Sequence, residues 1–81
     1  MIVRIRLGSS LARLAPAPLL SVDLPDGATV EDLYDRLAGQ TPELAPALAA
    51  ALPLVEGEHV ERSRGLANGQ EIALLTAVAG G

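Results

Sequence analysis

The chain has 81 residues, enough for one domain with one core, but a chain this short buries only about 60% of its unfolded surface. It has no cysteine, which excludes a disulfide, a thiolate nucleophile and a cysteine-ligated metal, and suits a reducing, cytoplasmic setting. Arginine is its only basic residue besides one histidine, and the net charge of −4 favours a basic partner surface over nucleic acid or an anionic membrane.

Tyr34 is the one aromatic side chain in a sequence that is 49% hydrophobic, so the core must be built from Leu, Val, Ile and Ala. No apolar run approaches the ~20 residues of a membrane span. Met1-Ile2-Val3-Arg4 leads straight into a strand pattern, with no sign of a signal peptide. Val3, Ile5 and Leu7 alternate with Arg4 and Arg6, the mark of a half-buried strand with two guanidinium groups on its wet face. Gly8-Ser9-Ser10 breaks it. Ser10 is placed to cap a short helix over 11–14, which Pro16 and Pro18 stop. Leu20, Val22 and Leu24 alternate with Ser21 and Asp23 as a second strand, closed by the turn residues Pro25-Asp26-Gly27.

The strongest helix signal follows. Thr29 is an N-cap candidate with Asp32 three residues on, Glu31 and Asp32 suit the positive end of the helix dipole, and Val30, Leu33, Tyr34 and Leu37 form one apolar stripe. Gly39 is placed to close this helix. Thr41-Pro42-Glu43 reads as a second start, interrupted by Pro46 and resumed from there to 51. Leu54-Val55, Glu56-Gly57 and Glu58-His59-Val60 read as a hairpin, and Asn68-Gly69 as the turn into a last strand over 71–78. That strand is apolar on both faces, which suits the sheet centre, paired in parallel with the first strand. The fold expected is α+β: a mixed sheet gripping one main helix, the β-grasp or ubiquitin-like arrangement, as a single domain over 1–81.

The chain ends Val78-Ala79-Gly80-Gly81. One reading is a frayed small-residue terminus. The other is that the terminal carboxylate is the working group, carried on a tail slim enough to thread a narrow channel. On that reading Val78 pairs in the sheet or docks on a partner, while 79–81 form a flexible tail.

The segments Asp23-Leu24-Pro25-Asp26-Gly27-Ala28-Thr29-Val30-Glu31-Asp32-Leu33, Val55-Glu56-Gly57-Glu58-His59-Val60, Leu66-Ala67-Asn68-Gly69-Gln70-Glu71-Ile72-Ala73-Leu74-Leu75 and Val78-Ala79-Gly80-Gly81 resemble, in order and spacing, the ubiquitin-like sulfur carriers. Among these the chain is most similar to the small subunits of molybdopterin synthase. It has Thr76-Ala77 where those often carry two prolines, Glu56 where they often carry Asn, and no Phe. The resemblance implies that a ubiquitin-activating-like adenylyltransferase adenylates Gly81 with ATP and that a sulfur donor displaces AMP to leave a thiocarboxylate. It implies that Val78, Ala79 and Gly80 form the bound tail, and that the large subunit of molybdopterin synthase takes the sulfur onto a pterin precursor. The chain would be a carrier without catalytic side chains, bound cofactor or metal. Service in thiamine, cysteine or tRNA thiolation, or isopeptide attachment to other proteins, stands as the alternative, beside a plain interaction domain.

The residue inventory fits a carrier. His59 is the sole histidine and is most simply a surface residue on a hairpin; Ser9, Ser10, Ser21 and Ser63 suit caps better than nucleophiles. No Gly-rich phosphate loop is present. Glu56, Glu58 and Glu61 are either a solvated hairpin or a patch for an Arg-rich partner. Leu11, Leu54 or Leu74, if turned outward, would mark a docking patch.

Overall fold

Alternation in the first strand builds the middle of the molecule. In β1 (Ile2–Leu7) Val3, Ile5 and Leu7 are buried while Ile2, Arg4 and Arg6 face water. The computed structural model describes residues 1–76; residues 77–81 lie outside the described part. Beyond β1 the order is α1 (Ser9–Ala12), β2 (Leu19–Asp23), α2 (Val30–Gln40), a 3₁₀ turn (Pro42–Leu44), α3 (Ala45–Leu48), β3 (Ala51–Val55), β4 (Glu58–His59) and β5 (Glu71–Thr76). The strands form one sheet in the order β2-β1-β5-β3-β4. β1 and β5 run parallel, and the other neighbours are antiparallel. This is the β-grasp arrangement.

One face of the sheet meets α2. Val30, Leu33, Tyr34 and Leu37 are all buried, as the stripe requires, against Val3, Ile5, Val22, Ile72 and Leu74. The capping box forms: the Thr29 hydroxyl accepts from the Asp32 N–H at 3.3 Å, and an Asp32 carboxylate oxygen accepts from the Thr29 N–H at 2.9 Å. The loop before β5 satisfies two more orphan donors of the first turn. The Val30 and Glu31 N–H groups donate to the carbonyls of Arg64 and Arg62, both at 2.9 Å. The Asn68-Gly69 turn works as a splice. Gly69 has φ of 81°, and the Asn68 side-chain oxygen accepts from the Ile2 N–H at 2.7 Å, so β1 is held where the parallel ladder begins.

Several boundaries differ from the sequence reading. α1 starts at Ser9 with Gly8 as N-cap and no side-chain cap, so Ser10 lies inside the helix; Leu11 is fully buried, which draws the turn in directly after β1. α2 continues through Gly39 to Gln40, and Thr41 closes it by donating to the Leu37 carbonyl at 2.8 Å. Thr41 precedes Pro42, which excludes the helical region for it, so the proline ends the helix and the glycine does not. The segment after Thr41 is broken as expected: the 3₁₀ turn Pro42–Leu44 gives way to α3, which begins at Ala45 with Pro46 in its first turn, where the missing N–H costs nothing. α3 stops at Leu48 because Ala51 already pairs with Thr76. β3 therefore includes Pro53, whose carbonyl accepts from Val60 N–H at 3.0 Å on the side away from β5. The missing donor costs no ladder bond to the central strand.

Tyr34 ties helix to sheet. Its hydroxyl donates to the Ala51 carbonyl at 2.9 Å, and the Arg62 guanidinium stacks 4.1 Å above its ring. Arg62 also pairs with Glu31 at 3.1 Å and donates to the Leu48 carbonyl at the end of α3. Burial pushes the Tyr34 phenol above its ordinary 10.0; neighbouring Arg62 pulls the other way and Glu31 adds to the rise. A raised folded value means that Tyr34 stabilises the fold fully below pH about 10 and that this contribution is lost as pH rises through the folded value. With no lysine or cysteine, no other side chain in the sequence has an ordinary value in the window from about pH 9 to 11. Denaturant melts across that window are expected to show an alkaline loss in the parent chain. Tyr34→Phe should show almost none, while costing about 1 kcal/mol near neutrality for the lost hydrogen bond.

The β3–β4 turn is a two-residue loop with both residues left-handed, Glu56 at φ 53° and Gly57 at φ 80°. That geometry favours Asn-Gly, and a left-handed non-glycine residue costs roughly 1–2 kcal/mol. Glu56→Asn is expected to recover about 0.5–1 kcal/mol of that penalty. Calorimetry should then show a rise in Tm of about 2–8 °C for a domain of this size.

Candidate functional site

The residues singled out for chemistry, Val78, Ala79, Gly80 and Gly81, lie outside the described part. The structure places what leads to them. β5 is the central strand and runs parallel to β1, so Thr76, the last described residue, lies at the end of the sheet where β1 passes into α1. Five residues follow Thr76, a fully extended reach of at most about 18 Å.

The inner face of the sheet is covered by α2; among the described residues no element covers the outer face. Strand register maps it. Arg6 lies between Leu19 of β2 and Ala73 of β5, Ala73 is opposite Leu54, and Leu54 is opposite His59. One step toward the tail, Leu75 is opposite Leu52. Leu52 and Leu75 are exposed by 45% and 42%, and Leu19 by 43%. One step the other way, Arg4 lies between Ser21 and Glu71. Beyond Arg4, the exposed Ile2 is opposite Asp23, so the face is apolar beside Thr76 and mixed at its far end. Leu, Ala and an Arg stem in adjacent cross-strand positions, with strands about 4.8 Å apart, make a contiguous surface.

This differs from the leucines named from sequence. Leu11 and Leu74 are fully buried, and Leu54 is half-buried on the outer face. Leu52, Leu75 and Leu19 were missed. The signal for Leu75 was present, since it follows the outward positions 71 and 73 at period two. Leu52 lay outside the hairpin read over 54–60. His59 is exposed on the outer face, and Ser9, Ser10, Ser21 and Ser63 are all exposed. Among the described residues no group of three His, Asp or Glu could hold a metal ion, and no helix is long and apolar enough to cross a membrane.

Gly8 connects the entry of α1 to the end of β5. Its N–H donates to the Leu74 carbonyl at 2.9 Å. A Cβ there would lie 3.0 Å from the Leu75 Cδ2 and 3.4 Å from the Leu74 carbonyl oxygen. The missing side chain therefore leaves the space in which Leu75 lies.

Comparison with known proteins agrees with this geometry. The ThiS family model matches residues 10–81, and the chain belongs to this family of ubiquitin-like sulfur carriers. No curated protein sequence matches it. SAMP1 from Haloferax volcanii is 29% identical over the whole of both chains, with a TM-score of 0.90. The complex of subunits 1 and 2 of molybdopterin-converting factor from Helicobacter pylori contains a chain 17% identical, with full coverage of both and a TM-score of 0.73. The Caldiarchaeum subterraneum ubiquitin is 17% identical over 100% of this chain and 98% of its own, with a TM-score of 0.68. The last two likenesses are of fold.

Gly8→Ala is expected to displace Leu75 without unfolding the domain, because the nearest atom is the free end of a side chain. The Leu75 methyl resonances should shift in a carbon–proton correlation spectrum while Tm changes by no more than about 4–8 °C, the equivalent of roughly 1 kcal/mol.

Proposed function

We propose that this ThiS-family chain is a cytoplasmic sulfur carrier that serves as the small subunit of a molybdopterin synthase. The observation that carries the reading is the family match through Gly80-Gly81, placed next in sequence to a central strand that ends beside an exposed apolar face. The Helicobacter pylori structure, a complex of subunits 1 and 2 of molybdopterin-converting factor, supports a large-subunit partner.

A free carboxylate is a poor acceptor for a nucleophile, since it is anionic at neutral pH. In the proposed cycle an adenylyltransferase joins the Gly81 carboxylate to the α-phosphate of ATP and releases pyrophosphate. A donor of sulfide-level sulfur then attacks the acyl carbon and AMP leaves, giving the thiocarboxylate. On the large subunit that sulfur bonds to a pterin precursor, and water cleaves its bond to the acyl carbon, so that Gly81 returns to a carboxylate. The chain contributes three things: a fold rigid enough to fix Thr76, an apolar docking face around Leu52 and Leu75, and a tail of small residues, Val78-Ala79-Gly80-Gly81. General acids and bases come from the partners.

A second reading is favoured by one specific likeness. The Haloferax volcanii protein is named a small archaeal modifier protein, which points to isopeptide attachment of Gly81 to lysines of other proteins. Both readings use an activated Gly81 and separate at the acceptor.

Intact mass of the chain from its own cells distinguishes them. Replacement of one terminal oxygen by sulfur is expected for the carrier, and a Gly81–lysine linkage for the modifier. Deleting Gly81 should leave Tm nearly unchanged and abolish sulfur transfer. The deletion moves the terminal carbonyl by about 3.5 Å, where a misplacement near 1 Å already costs about a hundredfold. Full transfer by the shortened chain would refute Gly81 as the loading site.

A further inference from the structure

The overall charge of −4 pointed to a basic partner surface. The distribution of that charge over the fold points elsewhere. The outer sheet face carries Arg4, Arg6, Asp23 and Glu71, two of each sign. The whole net charge of −4 therefore lies off this face, where four arginines stand against eight acids on the helices, hairpin and loops.

On the face itself the charges are not equally engaged. Asp23 lies 3.5 Å from the Met1 ammonium group. Glu71 turns both carboxylate oxygens to Arg6, at 3.2 Å to Nε and 3.4 Å to the terminal nitrogen. Glu71 is the direct cross-strand neighbour of Arg4, yet it bonds Arg6. Among the described residues Arg4 has no carboxylate within ion-pair distance. Its guanidinium is exposed on a flat strand face and sits next to the Arg6–Glu71 pair.

We propose that the partner surface docking on this face is apolar with an acidic edge, and that a partner carboxylate binds Arg4 while apolar partner side chains cover Leu52 and Leu75. The proposal rests on the carrier reading, in which this face docks the protein that handles Gly81. Three physical points support it. A guanidinium offers a planar pair of donors matched to a carboxylate, and arginine is enriched at interfaces where lysine and acids are depleted. The opposing negative charge lies beyond the sheet, and salt screens charges over about 8 Å, so the local face governs the encounter. Arg4 and Leu75 lie four residues apart in register, about 13 Å along the strands, which one partner patch of ordinary size spans. The acids of the hairpin and of α2 then act against wrong partners, by repelling an acidic surface that approaches from the helix side.

The test uses the full chain with the large subunit and the adenylyltransferase from its own organism, with Kd measured by calorimetry at low and high salt. Arg4→Glu is expected to weaken binding to at least one of them by about tenfold or more at low salt. It should also reduce the parent chain's loss of affinity at high salt. Asp35→Arg, on the far face, should change Kd by less than about twofold. Because Arg4→Glu places two acids side by side, Arg4→Gln is measured too, with melts to verify folding; it should weaken binding by about threefold or more. Unchanged or tighter binding by folded Arg4→Glu and Arg4→Gln, with Leu52→Asp abolishing it, would overturn the acidic-edge proposal and leave the docking face intact. Unchanged binding by Leu52→Asp as well would remove the docking face itself, and the proposal with it.

Discussion

The parallel contact between β1 and β5 is the constraint on which the rest of the fold depends. Arg4 pairs with Glu71 and Leu7 with Leu74, across a separation of more than sixty residues. A parallel pair cannot be closed by a tight turn; it needs a long crossover, and here the crossover is nearly the whole chain. Everything between the two strands must pack on one face of the sheet or extend its edges. α2 takes the face, β2 extends one edge, and β3 with β4 extends the other.

That arrangement also explains how a chain with one aromatic residue makes a core. Val3, Ile5, Ile72 and Leu74 come from the two central strands, and Leu33 and Leu37 from the helix above them, all fully buried. Aliphatic side chains at facing positions of a twisted sheet and a helix interdigitate at native density without an aromatic ring. Tyr34 is used where its one polar atom has a partner, the Ala51 carbonyl at the start of β3. Arg62 joins the ring, Glu31 and the end of α3, so the long loop before β5 is fastened at the point where it crosses the helix start.

Function follows from the asymmetry of the sheet. The covered face supplies stability. The open face supplies an apolar surface beside the last described residue, Thr76, and the chain's net charge lies away from it. A carrier needs little else of its own. In the proposed cycle its side chains hold no substrate, and the position of Gly81 relative to a docked partner sets the chemistry.

Local information in the sequence determined a great deal. The alternation of Val3, Ile5 and Leu7, the Thr29–Asp32 capping box, the stripe from Val30 to Leu37 and the Asn68-Gly69 turn were all legible, because each depends on residues within a few positions of one another. So were the family, the β-grasp fold and the central place of the last strand. What failed needed knowledge of distant partners. Gly39 read as a helix end, but Pro42 and the Leu37 carbonyl end the helix. Pro53 lay outside every element read from sequence, but it belongs to β3, where it directs its missing donor away from β5. The tail residues Val78–Gly81 were legible only as a motif. The outer surface was decided by tertiary structure alone: Leu52 meets Leu75, and Glu71 bonds Arg6 rather than Arg4, only because register brings strands far apart in sequence side by side. Alternation along one strand tells which residues share a face, and pairing between strands tells which of them touch.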